Sequence, residues 1–562
     1  MKQILIAQRD RIIWILFVCA ILINVIGGLG AQAPVTFERL LKSDSEPQNW
    51  LTYSGSLSGN RYSLLKQITT ENVKNLELQW VNQVQSRADR DKWEATPLVV
   101  DGVMYTVRPP NEVVAIDAVT GRIFWIYTHA PADTSRVCCG RVNRGLAILG
   151  DLLYMGTIDG RLLALNAKTG ALVWNVAVGR PEAGYSVTVA PLIVKDRVIA
   201  GPAGGEYGIR GFLAAYNAKT GSEIWRFNTI PGPGEPGHET WPQNNDAWQH
   251  GGGSIWTTGA FDPALNTLYW GVGNPGPDWN GDKRAGDNLY TESVIALDPD
   301  SGKLKWHYQF TPHDEFDYDS TQTPVLADIT WNGSARKALL WANRNGFWYV
   351  LDRASGEFLS AKPFTKVTWA DGFDEKGRPH KVLEPSAVGT AVFPNNQGAT
   401  NWYPPSYSPS TGLFYIPTWV DASSTYRKAP GAPPEYQEGQ QFTGIFPTLS
   451  VPGLAAPQTN TRMPREGTGA VQAFDPKTGA RKWSFDMADI TDAGILTTAS
   501  NVLFSGGREG YFYALDARTG TLLWKNQLGG QIAMGPMTYS VNGRQYVAVA
   551  AGNAMFVFAL RQ

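Results

Sequence analysis

The sequence predicts an all-β protein, an eight-bladed β-propeller with tryptophan-docking repeats. Three observations point to it. A turn-and-tryptophan motif recurs along the chain. Its copies have about 40–50 residues each plus insertions, the size of a four-stranded blade. The composition, with 59 glycines, 36 prolines and 21 tryptophans against only 18% charged residues, favours short strands and many turns over long helices.

The motif reads A-x-[DN]-x-x-[TS]-G-x-x-x-W and occupies 115–125, 164–174, 215–225, 296–306, 473–483 and 514–524. A degenerate copy, VLDRASGEFLS, runs over 350–360, and NLELQW ending at Trp80 supplies the tail of an eighth. In each copy an alternating apolar strand ends at Asp or Asn, whose side chain bonds the backbone of a tight turn. Glycine takes the turn conformation that a β-carbon resists, and a second strand carries the tryptophan. One such sheet cannot bury both faces, so neighbours must stack, and closing the ring removes most exposed edges. Residues 34–562 are therefore expected to form one propeller. Long insertions are expected at about 226–295 and 361–470, where the stretch 428–466, full of Pro, Gly and Gln, is read as a lid or a partner surface.

The first residues differ from the rest. Lys2, Arg9 and Arg11 precede an apolar run over 12–26, and small residues follow to Ala33. This is the layout of a signal peptide over 1–33, implying export to the periplasm; an uncleaved membrane anchor is the alternative. A net charge of −1 argues against a nucleic-acid partner. Beyond the leader only two cysteines occur, Cys138 and Cys139, and they are adjacent. There is no C-x-x-C-H for covalent haem and no ligand spacing for zinc. An oxidising compartment would let the pair close on itself.

The chemistry-bearing segments lie between the repeats. GGEYGIRG sets Glu206 behind Gly204 and Gly205, just after an apolar strand over 191–201. GVGNPGPDWN holds Asn274; its glycines spell the dinucleotide fingerprint, but Pro275 and Pro277 forbid the helix that this fingerprint needs. TPHDEFDYDS holds Asp317 and Asp319, GGGSIW holds Ser254 and Trp256, and NRNGFWYV holds Arg344. In order and spacing, over essentially the whole chain after the leader, these segments together with the repeats resemble the PQQ-dependent methanol and ethanol dehydrogenases, the type I quinoprotein alcohol dehydrogenases.

That resemblance implies a site. Glu206, Asn274 and Asp317 match the family's metal ligands, and Asp317 also matches its catalytic base. Trp256 matches the tryptophan on which pyrroloquinoline quinone (PQQ) stacks, and Cys138–Cys139 matches a vicinal disulfide on the opposite face. Glu94, Arg144, Thr188, Gly204, Gly205, Ser254, Asn401 and Trp402 match cofactor contacts, and Arg344 matches the arginine beside the reactive carbonyl. His313 is given no catalytic role. There are departures: Ala203 stands where many members have serine, Ser254 where many have threonine, and a late family tryptophan is replaced around Asp492 and Ala493.

Asp319 resembles the lanthanide-dependent members, calcium being the alternative. In an extended segment Asp317 and Asp319 would face the same way and address one ion. The implied function is metal-assisted hydride transfer from primary alcohols to PQQ, giving aldehydes, with electrons passed to a soluble cytochrome c. Ile255-Trp256-Thr257-Thr258 is less bulky than the WGW of methanol-oxidising members, which suggests ethanol or larger alcohols. Two rivals remain: a sugar or polyol dehydrogenase using the same cofactor, and a non-catalytic propeller scaffold of the outer-membrane assembly type. The scaffold has no reason to keep Glu206, Asn274 and Asp317 together. A homodimer stays open.

Overall fold

The structure, a computed structural model, describes residues 33–84, 92–428, 433–449 and 467–561. Positions 1–32 of the expected leader lie outside the described residues, as do 429–432 and 450–466 of the expected lid. The chain divides into two units, Met1–Pro34 and Val35–Gln562, and the second holds the blades. Among the described residues no helix is long and apolar enough to cross a membrane, and the one α-helix is Phe37–Leu41.

Eight sheets succeed one another along the chain, seven of them four-stranded and antiparallel and one, blade 7, extended by the parallel pair Tyr62–Ser63 beside its first strand. Blade 1 runs from Leu98–Val100 to Ile123–Thr128, blade 2 from Ala147–Leu149 to Leu172–Ala177, and blade 3 from Leu192–Val194 to Glu223–Asn228. Blade 4 runs from Ala260–Asp262 to Leu304–Gln309, and blade 5 from Val325–Trp331 to Phe358–Pro363. Blade 6 joins Ser406–Ser408 and Leu413–Val420 to Thr468–Phe474 and Arg481–Asp486, and blade 7 runs from Leu496–Thr498 to Leu522–Gln527. Blade 8 takes three strands from 537–560 and its fourth, Leu76–Gln83, from the other end of the chain. The first strands are mostly buried, wholly so in Leu98–Val100, while the fourth are exposed or half-buried, as in Ile123–Thr128. Each blade therefore runs from the centre outward.

The repeat explains how blades dock. Asp117 Oδ1 accepts the backbone N–H groups of Val119 and Thr120, shaping the turn. Gly121 completes it at φ +76, with its open face against the Trp80 ring of blade 8. Trp80 Nε1 donates to the Ala118 carbonyl of the same turn at 3.3 Å. The junction recurs around the ring: Trp125 lies on Gly170, Trp174 on Gly221 and Trp225 on Gly302. Their indoles donate to Ala167, Ala218 and Pro299 carbonyls. Where the degenerate copy has Ser360, Gly479 of blade 6 meets the aliphatic stem of Lys362 instead. A fully buried tryptophan contributes up to about 6 kcal/mol of hydrophobic stabilisation, and half-buried rings roughly half of that. A β-carbon at Gly121 would stand 2.8 Å from Trp80 Cδ2. Gly121→Ala is therefore expected to destabilise by about 1–3 kcal/mol, read as a lowered denaturation midpoint.

The two long intervals are not wholly insertions. The first contains the inner strands of blade 4, and the second the inner strands Ser406–Ser408 and Leu413–Val420 of blade 6. These strand pairs lack the tryptophan motif, so sequence spacing alone merged them with the loops. The true additions are a hairpin, Ala370–Phe373 with Pro379–Lys381, and a small sheet of Thr390–Val392, Ser424–Tyr426 and Thr448–Leu449.

Candidate active site

In an antiparallel blade the start of the first strand and the end of the second lie at the same end of the sheet. Glu94, Arg144, Thr188, Trp256, Asp317, Asn401 and Trp402 all precede first strands, while Glu206, Asn274 and Arg344 come after second strands. The topology thus gathers residues from six blades at one mouth of the ring. Backbone bonds set their spacing: Thr96 N–H donates to Arg144 O, and Arg144 N–H to Thr188 O.

The cavity at that mouth spans about 810 Å³ counted with its open side. It is lined by Glu94, Cys138, Cys139, Arg144, Thr188, Gly204, Glu206, Ser254, Trp256, Asp317, Asp319, Arg344, Asn401 and Trp402. Gly205 and Asn274 stand directly behind the wall. A β-carbon on Gly205 would fall 2.7 Å from Asn274 Oδ1, so glycine lets the two loops meet. His313 lies outside, its Nδ1 2.9 Å from the Gly286 carbonyl oxygen.

Cys138 and Cys139 are joined by a disulfide. Arg144 is held by Glu94, whose Oε2 is 2.8 Å from Nη2. It donates to Thr188 Oγ1 and Trp256 O, and its guanidinium lies 4.6 Å from the Trp256 ring centroid. Asn401 Oδ1 is buried with no hydrogen-bond partner, a polar atom left for a ligand to satisfy.

Below this polar rim is a carboxylate cluster. Arg344 Nη1 donates to Asp319 Oδ2 at 2.6 Å and Nη2 to Asp317 Oδ2 at 3.2 Å. Asn274 N–H donates to Asp319 Oδ1 at 2.7 Å. The two aspartates do not converge as neighbours on an extended strand. Asp317 has φ +64 and the segment is a loop; Arg344 bridges them. Cys138 Sγ, which has no hydrogen to give once oxidised, lies 3.1 Å from Glu206 Oε1.

Burial and then the charge of Asp319 push Glu206 up to about 7. Burial also raises Asp317, with Arg344 opposing and Asp319 adding to the rise. Asp319 is raised by burial against the pull of Arg344. Although burial disfavours its charge, Arg344 is held protonated by Asp317 and Asp319. Arg344 pairs with buried Asp319 and half-buried Asp317, while half-buried Glu206 lies within 4.8 Å of the Cys138 and Cys139 sulfurs. Such a cluster is costly without a cation, so it fits a hard metal ion.

Sequence reasoning passed over three parts of the site. Lys92, Arg136 and Gln397 also line the cavity. Lys92 lies 4.9 Å from the Trp402 ring centroid and 3.6 Å from Asp492. Asp492 is fully buried and gripped by Arg508 at 2.9 and 3.2 Å. Where a family tryptophan is replaced, the wall is thus an ion-pair cluster. Lys92 was findable, because it stands two residues before Glu94 on the same face of an extended segment.

A closed ring with a polar, aromatic and acidic cavity at one mouth defines a propeller that binds a small ligand and a metal at its axis. Residues 50–370 match the family described as glucose/ethanol/alcohol dehydrogenase, beta-propeller domain. A shorter match, 467–561, is to outer membrane protein assembly factor BamB and covers only the C-terminal repeats. Quinohemoprotein alcohol dehydrogenase ADH-IIG of Pseudomonas putida is 40% identical, over 95% of this chain and 77% of its own length. Quinoprotein alcohol dehydrogenase PedH of P. putida is 37% identical over 93% and 89%. A solved europium-containing methanol dehydrogenase superposes with a TM-score of 0.85 at 32% identity, covering 93% of this chain and all of that one. The chain belongs to the PQQ-dependent quinoprotein alcohol dehydrogenases and is an alcohol-oxidising enzyme of that family.

Proposed function

We propose that this enzyme oxidises primary alcohols larger than methanol to aldehydes, with a lanthanide ion in the carboxylate cluster and a soluble cytochrome c as acceptor. The observation that carries the reading is the cluster itself, beneath a cavity walled by Trp256 and the Cys138–Cys139 disulfide.

PQQ, when bound, supplies the two-electron acceptor for the alcohol's hydride, and the ion supplies Lewis acidity. The protein's own residues do the rest. Trp256 and the disulfide offer two flat, hard surfaces for a planar ring system. Arg144, Thr188, Ser254 and Asn401 offer polar partners for its edge groups, with Glu94 holding Arg144 in place. Glu206, Asn274, Asp317 and Asp319 would hold the ion, and Gly204 and Gly205 let the Glu206 loop approach. Asp317 takes the hydroxyl proton of the alcohol. Arg344 keeps its charge beside Asp317 and stabilises negative charge as it develops. The europium of the solved relative supports a trivalent ion. A disulfide between the only cysteines after the leader supports an exported, oxidising location.

A dye-linked assay of the PQQ-loaded enzyme across methanol, ethanol, longer primary alcohols, glycerol and glucose tests the substrate reading. Ethanol and longer primary alcohols should give kcat/KM about tenfold or more above methanol, as expected when added methylenes find apolar contacts. Turnover of glucose or glycerol without primary-alcohol turnover would replace this reading with the sugar or polyol one.

A further inference from the structure

One buried acidic side chain has no place in the scheme above, yet it ties together the loops that carry the site. Glu292 immediately precedes Ser293–Leu297, the third strand of blade 4, and is 0% exposed. Its Oε2 accepts the Ser320 hydroxyl at 3.0 Å, and Ser320 Oγ accepts Asn343 Nδ2–H at 2.9 Å. The direction of this chain is set at its far end. Asn343 Oδ1 takes the backbone N–H of Asn345, so the amide nitrogen faces Ser320 and the serine hydrogen is left for Glu292. The Glu292 backbone N–H donates to the Gly273 carbonyl at 3.3 Å.

Each partner in the chain adjoins a residue of the site. Gly273 precedes Asn274, Ser320 follows Asp319, and Asn343 precedes Arg344. The chain thus runs from the end of one second strand in blade 4 to the end of the next in blade 5, crossing the Asp317–Asp319 loop between them. Backbone packing agrees: a β-carbon on Gly271 would fall 2.1 Å from the Ser320 carbonyl oxygen, so the loop is pressed onto blade 4. Glu292 itself is held at φ +52, a conformation that a residue with a β-carbon keeps only where its surroundings impose it. Its Oε1 is buried with no partner. A fully buried carboxyl group with a single side-chain donor is a costly filler, so packing alone does not account for it.

We propose that Glu292 is a positioning residue, which through Ser320 fixes the loop of Asp317 and Asp319 against Asn274 and Arg344. The inference rests on the metal reading above. Glu292 does not line the cavity; it acts through the backbone of residues that do.

Variants of the full-length enzyme separate the hydrogen bond from packing. Glu292→Gln keeps the shape and an acceptor for Ser320, Glu292→Met fills similar space without one, and Ser320→Ala removes the donor. Terbium binding to the metal-free chain, read by tryptophan-sensitised luminescence, is measured beside thermal unfolding and alcohol turnover by the PQQ-loaded, lanthanum-reconstituted enzyme. Glu292→Met and Ser320→Ala should each weaken terbium binding by about 10–100-fold and lower kcat by about tenfold or more, the usual cost of losing a partner that orients metal ligands. KM for the alcohol should change far less than kcat. The double variant should be no worse than the poorer single one, because both break one link. Glu292→Gln should recover most of both losses. Ser320→Ala, which trims a single oxygen, carries the same reading if Glu292→Met folds poorly. Folded Glu292→Met or Ser320→Ala that binds terbium and turns over like wild type would overturn the inference and leave the metal reading standing. Equal losses in Glu292→Gln and Glu292→Met would also overturn it, since the acceptor would then not be what matters. Failure of wild type to bind terbium would overturn the metal reading and the inference with it.

Discussion

Asp317→Asn is expected to lower kcat by about 10²–10⁴-fold, the contribution of a positioned base to proton transfer, with the bound-cofactor absorbance retained. The amide is isosteric and can still offer an oxygen to the ion, but it cannot accept the alcohol's proton. Arg344 would lose its 3.2 Å contact to Asp317 Oδ2 yet keep the shorter one to Asp319, so its position should hold. Dye reduction and the absorbance of bound PQQ, measured on one preparation, separate chemistry from binding. Near-normal turnover with intact binding would remove Asp317 from the role of base.

The second large effect concerns the metal. Metal-free wild type reconstituted with PQQ should be activated by lanthanum at least about tenfold better than by calcium, the cluster being richer in anionic oxygen than a divalent ion needs. Asp319→Ala should lose most of the lanthanum-supported rate and narrow the gap between the ions. Both Asp319 oxygens accept a hydrogen bond, from Asn274 N–H and Arg344. A carboxylate oxygen has a second lone pair, so these bonds orient the side chain and leave it able to bind a cation. Equal activation of wild type by both ions, unchanged in the variant, would sink the assignment.

The fold was legible because the repeat carries its own mechanism. Asp117, Gly121 and Trp125 each do a local job, and the same job is done at each well-formed copy, so the blades show in the sequence before any contact is known. The cavity was legible through the resemblance, which named residues from six blades that no local pattern could bring together. What stayed hidden depends on long-range geometry. The strands Ser406–Ser408 and Leu413–Val420 carry no turn-and-tryptophan signal, so they were absorbed into an insertion. Asp317 and Asp319 look like neighbours on a strand, yet they meet through Arg344, a partner about 25 residues away in sequence.

The strand Leu76–Gln83 pairs with Ala554–Leu560, and this has a consequence for biogenesis. The partner strands are separated by nearly the whole polypeptide, so their pairing is among the most non-local contacts the chain makes. Contacts of that kind slow folding, because the loop entropy must be met before the contact rewards it. During synthesis Leu76–Gln83 emerges early and must wait, as an unpaired edge, for the final residues to be made. An unpaired strand of this kind is an aggregation hazard. Once paired, the same strand makes loss of either terminus cooperative with loss of the last blade. Slow refolding and slow unfolding should therefore go together in this protein. Trimming the C-terminal residues 554–561 should abolish both soluble yield and resistance to proteolysis.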